Sequence, residues 1–219
     1  MNQSLYKLCE ICKIEGIYHL YGKINKGEGM YLKRLFVLLT LISVIAILTA
    51  CSSEPSLELT NKKVEIINDK ERFGYMTLQQ GEKAGQDVAP TKLFYTFSIK
   101  NTGSKIIGKD VELLTLKIEP SQELVTVSEE VMGFNIFNPE GYNETGLGYG
   151  HTFDSILGPN VEGNYTLHYD LGIDIETTEA LFVPSKEQLE KLQKHALEAT
   201  LIVMLGEEEL VRFDLSEKE

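Results

Sequence analysis

The residues best suited to chemistry crowd into one stretch. Asn138 to Ser155 reads Asn-Pro-Glu-Gly-Tyr-Asn-Glu-Thr-Gly-Leu-Gly-Tyr-Gly-His-Thr-Phe-Asp-Ser. Tyr142, Tyr149 and Phe153 have the rings to stack on a sugar or peptide, with His151 and Asp154 as polar partners. Long loops in compact domains are often binding loops. The plainer reading is a flexible connection whose aromatics cover one end of the fold. Asn138, Glu140, Asn143, Glu144 and Asp154 are hard oxygen donors of the kind calcium prefers. Their spacing matches no EF-hand loop, however, and no metal is expected. Gly146, Gly148 and Gly150 alternate with Leu147 and Tyr149, but no strand-turn-helix unit surrounds them, which argues against a dinucleotide site.

Catalytic patterns are otherwise scarce. After Cys51 the chain has His151, His168 and His195, and no G-x-S-x-G, S-x-x-K or H-E-x-x-H. His151 and Asp154 could form a base and its orienter, but no nucleophile accompanies them. No cofactor motif is present. A non-catalytic module is therefore the expectation. The alternative is a cation-dependent binder or hydrolase with its site in residues 138–155.

The cysteines are Cys9, Cys12 and Cys51. Cys9 and Cys12 form a C-x-x-C pair, but no second Cys or His pair completes a metal site. With none after position 51, the domain that follows has no internal disulfide and must rest on its apolar core. Its roughly 169 residues are enough for that.

Cys51 has a distinct context. From Met30 the chain runs Met-Tyr-Leu-Lys-Arg, then an apolar run from Leu35 to Leu48 broken only by Thr40 and Ser43, then Thr49-Ala50-Cys51. A cationic start, an apolar core and a small-residue end form the pattern of an export signal. The run is short for a spanning helix, which needs about 20 apolar residues. Leu48-Thr49-Ala50-Cys51 resembles the lipobox of bacterial lipoproteins. That resemblance covers residues 30–51 and implies cleavage before Cys51, a diacylglyceryl group on its sulfur, and anchoring to the outer face of a cell membrane. Residues 1–29 would make an unusually long leader. Lys26-Gly27-Glu28-Gly29 is what a purine-rich ribosome-binding site would encode, so Met30 is the expected start.

Charge divides the chain the same way. Residues 1–51 hold six of the 21 Lys/Arg and three of the 33 Asp/Glu, which leaves a net charge of −15 for residues 52–219. Nucleic acid is not an expected partner of so acidic a domain. The expected partners are the membrane, through lipid on Cys51, and a protein, peptide or glycan ligand.

The elements that would position the 138–155 stretch are mostly strands. Val64–Ile67 and Tyr75–Leu78 are short candidates. In Thr91–Lys100, Leu93, Tyr95, Phe97 and Ile99 share one face while Thr96, Ser98 and Lys100 share the other. Val111–Ile118 follows, ending at Pro120, and Glu123–Val127 could pair next. In Asn164–Leu171, Tyr165, Leu167, Tyr169 and Leu171 point inward, and Thr166, His168 and Asp170 outward. Ala199–Leu205 and Glu209–Leu215 read as a hairpin about Gly206. One helix interrupts them, with Ser185 and Gln188 as a capping box and Leu189, Leu192 and Ala196 as a narrow apolar stripe. Glu187–Lys191 and Glu190–Lys194 are expected ion pairs on its surface.

The fold class this implies is mainly β, an antiparallel sandwich with one late surface helix at about 185–198, preceded by a helical signal segment. Phe94-Tyr95-Thr96-Phe97-Ser98-Ile99-Lys100-Asn101-Thr102-Gly103 is similar to a strand and turn of many bacterial immunoglobulin-like domains. Gly163-Asn164-Tyr165-Thr166-Leu167 resembles a tyrosine corner. The resemblance implies an immunoglobulin-like architecture without the antibody Cys and Trp. The expected organisation is an extension at 1–29, a signal peptide at 30–50, lipidated Cys51 with a tether to 56, and a sandwich domain over 57–219.

Overall fold

The computed structural model describes residues 56–108, 113–152, 154 and 156–217. The expected extension, the helical signal segment, Cys51 and the tether up to Pro55 lie outside those residues, as does Phe153. In chain order the elements are β1 (Leu57–Ile67), α1 (Lys70–Phe73), β2 (Met76–Thr77), β3 (Asp87–Val88), β4 (Thr91–Asn101), β5 (Leu114–Pro120), α2 (Gln122–Met132), a 3-10 turn (Pro139–Tyr142), β6 (Tyr149–Thr152), β7 (Glu162–Gly172), α3 (Lys186–His195), β8 (Ala199–Leu205) and β9 (Glu208–Asp214).

The strands form antiparallel sheets: β1-β4-β7-β6, β5-β8-β9 and the small pair β2-β3. The period-2 pattern decides which face is buried. Leu93, Tyr95, Phe97 and Ile99 of β4 face the core with Tyr165, Leu167, Tyr169 and Leu171 of β7. Leu114, Ile118, Leu201 and Val203 of the second sheet share that core, as do Leu124, Val127 and Val131 of α2, Leu192 of α3 and Ala196 at the C-cap of α3. Tyr95 donates its hydroxyl to the Ala196 carbonyl at 2.9 Å, joining sheet to helix at full burial. Burying side chains of this size contributes about 1.5–3 kcal/mol each, and no disulfide shares the task.

Several expectations are corrected. Glu123–Val127 is not a strand but part of α2. Ser121 caps that helix by accepting the Leu124 N–H at 3.1 Å, and Gly133 ends it in the left-handed region. Leu124, Val127 and Val131 recur at helical spacing, so the β-branching of the two valines yields to packing. The late helix is therefore one of three among the described residues. Its capping box is present, with Gln188 N–H donating to Ser185 Oγ and Gln188 Oε1 accepting the Ser185 N–H. Its ion pairs differ from those expected: Lys186 meets Glu190 at 3.6 Å, and Lys191 reaches Glu130 of α2.

The outward face of β4 is also covered. Lys92, Phe94 and Ser98 are all buried. Phe73 of α1 lies against Phe94 with ring centroids 4.8 Å apart, and the Arg72 guanidinium sits over both rings. The tyrosine-corner reading fails on its hydrogen bond. Tyr165 is fully buried, but its hydroxyl has no hydrogen-bond partner among the described residues and lies over Gly163, where a side chain would be 2.8 Å from it.

Candidate functional site

Residues 138–152 are not a loose connection. Asn138 accepts the Glu140 N–H and Pro139 opens the 3-10 turn, which delivers Tyr142 inward. Its ring is buried edge-on against Phe134 at 5.2 Å and tilted against Tyr149 at 5.5 Å. Its hydroxyl donates to the Asp170 carbonyl at 3.2 Å, and burial first, then Asp170, pushes its pKa well up. Tyr142 is thus a packing residue, and a stacking role for it is not supported. Tyr149 stays half exposed. His151 is exposed on β6, the edge strand, opposite Leu167. Asp154 is exposed and accepts the Asn164 N–H at 3.2 Å. The structure therefore brings Tyr142 to Tyr149, while the Asp154 carboxylate holds the start of β7.

The glycines of this stretch serve close approach. Gly146 has φ of +70°, and a side chain there would overlap the Glu179 carbonyl oxygen. Gly150 makes room for the His168 imidazole, which a Cβ would meet at 2.7 Å.

Beneath them lies a group that sequence reasoning missed. Lys92 and Asp170 face one another across β4 and β7 and form an ion pair with side chains only 7% and 12% exposed. The Gly148 N–H donates to the other Asp170 oxygen at 3.2 Å. His168, expected on an open strand face, is half-buried beside them. Burial first, then the Lys92 charge, holds its pKa below 6.5, with Asp170 opposing. Alternation places Lys92 and Asp170 on one face; that the face is covered follows from residues distant in sequence. The arrangement pins β6 to the sheet, since Asp170 binds a cation and a backbone donor at once.

A second titratable group joins α2, α3 and the turn before β8. His195 was expected on an exposed helix, yet its side chain is only 16% exposed. Its Nδ1 lies 2.9 Å from Glu198 Oε1 and 3.7 Å from Glu123 Oε1, although neither approach meets hydrogen-bond geometry at that nitrogen. One nitrogen and two carboxylate oxygens could hold a divalent cation, and this is the one such group among the described residues. Both carboxylates are substantially exposed, and the His195 side chain lies beside them in the last turn of α3.

Among the described residues no helix is long and apolar enough to cross a membrane. No family model matches the chain, and neither a curated protein nor a solved structure is significantly similar to it.

Proposed function

We propose that the chain is a lipoprotein precursor whose mature form is held at the extracytoplasmic face of a membrane by lipid on Cys51, and that residues 57–219 form a non-catalytic binding or structural module. The carrying observation is the order cationic start, apolar run, Leu48-Thr49-Ala50-Cys51, followed within six residues by the first strand at Leu57. A short polar tether between an anchor and an acidic, cysteine-free domain is what an exported module needs. The two antiparallel sheets around one core support an immunoglobulin-like reading of the architecture. Tyr149 and His151 lie exposed on an edge strand, the face of the 138–155 stretch that we assign to a protein, peptide or glycan. Burial of Tyr142 and the bond from Asn164 to Asp154 weigh against a hydrolase or cation site there. Cys51→Ser tests the reading: expressed from the full chain in bacteria, it should leave the protein unprocessed, while the parent fractionates with membranes at the mass of residues 51–219 plus lipid. Identical fractionation and an identical unprocessed mass in both, for residues 1–219 or 30–219, would overturn it.

A further inference from the structure

We infer that the end of the domain carrying Ser56 seats an aliphatic tip, Ile106, Ile156 and Val161, in the interface of a zwitterionic bilayer. The inference rests on the anchoring proposed for Cys51. Exposed aliphatics scattered singly are ordinary. These three are 64%, 48% and 49% exposed and converge on one place. Ile107 and Leu157 form an antiparallel bridge with both side chains buried, which turns their neighbours Ile106 and Ile156 to the opposite, outer side. Gly158, next to Leu157 of that bridge, lies under the Val161 side chain, whose Cγ2 is 3.3 Å from where a Cβ would be.

The chain's exit is beside them. Thr102 N–H donates to the Ser56 carbonyl at 2.8 Å, and the two hydroxyls are 2.7 Å apart. The next residue, Asn101, donates its N–H to the Val161 carbonyl at 3.0 Å. The fully buried Asn101 side chain donates to the Lys105 and Leu157 carbonyls and accepts the Gly103 N–H, so exit and tip are one unit. Ser56 is five positions beyond Cys51, a reach of at most about 18 Å fully extended. A lipid on Cys51 therefore keeps this end within reach of headgroups. β-branched aliphatics suit the boundary between headgroups and acyl chains, about 5–10 Å deep. Glu58, Asp154 and Glu162 share this end with Lys100 and Lys105, and the net charge of −15 over residues 52–219 favours zwitterionic over anionic lipid. The other end of β7 lies about 33 Å away, and the exposed Phe182 belongs there, packed by its backbone against Gly172.

The chain contains no Trp, so one introduced Trp reports its own depth. Ile156→Trp, Val161→Trp and Phe182→Trp are made in the full chain, processed in bacteria, and reconstituted into vesicles of phosphatidylcholine with or without brominated acyl chains. Mass spectrometry confirms lipid on Cys51 in each. At least a twofold loss of emission at 156 and 161, with none at 182, is expected. Lipidated chains in which 156 and 161 are quenched no more than 182 overturn the inference and leave the anchor standing. Chains recovered without lipid overturn the anchor and the inference with it.

Discussion

Replacing Lys92 by Met should destabilise the domain more than almost any other change outside its apolar core. The Met stem fills the volume of the lysine chain, so packing is nearly conserved. What changes is charge: Asp170, with a side chain 12% exposed, is left in the sheet with the Gly148 N–H donating to its carboxylate and no cation against it. Leaving one member of a buried ion pair uncompensated costs about 3–5 kcal/mol. For a domain of this size each kcal/mol moves the thermal midpoint about 2–4 °C, so a fall of roughly 6–20 °C is expected. Lys92→Met with Asp170→Asn removes the orphaned charge, and the amide carbonyl still accepts from Gly148. The double variant should return to within about 1.5 kcal/mol of the parent. Urea unfolding of parent, single and double variants gives the comparison directly. A single variant within about 1 kcal/mol of the parent, or a double variant no better than the single, would refute a tightly buried pair pinning β6.

Because His168 is held below 6.5 by burial and by Lys92, protons bind the unfolded chain more readily than the folded one. Its contribution is fully present above 6.5, starts to fall as pH drops below that value, and continues to fall to the folded pKa. His168→Gln should flatten this part of a stability–pH profile; an unchanged profile would remove His168 as its source. Gly146→Ala should disrupt the approach of residues 145–150 to Glu179, seen as accelerated hydrogen exchange at Leu181, whose N–H donates to Thr145 at 3.1 Å. Asn101→Ala removes three hydrogen bonds from a fully buried hub and should cost roughly 2–4 kcal/mol in urea unfolding.

The strands that build the main sheet are visible in the sequence because their core face is purely apolar. Leu93-Tyr95-Phe97-Ile99 and Tyr165-Leu167-Tyr169-Leu171 alternate without interruption. The capping box at Ser185 is legible for a similar reason: both of its partners are local. Helix α2 is harder to read. Leu124, Val125 and Val127 read as a strand until Ser121 after Pro120 is taken as a cap and Gly133 as a stop. The buried polar group is harder still. Lys92 and Asp170 are 78 residues apart, and their face is dry because α1 and the glycine-rich stretch cover it. No period within β4 or β7 carries that information. The aromatic and polar residues of 138–155 stand out by type alone, and type does not say which way a ring points: Tyr142 goes inward and Tyr149 outward.

The central claim concerns Cys51, and one measurement addresses it most directly: the mass of the N-terminal peptide of the protein purified from bacterial membranes. The account predicts a peptide beginning at Cys51 and carrying a diacylglyceryl group on its sulfur. A peptide containing Ala50 joined to an unmodified Cys51 would contradict it.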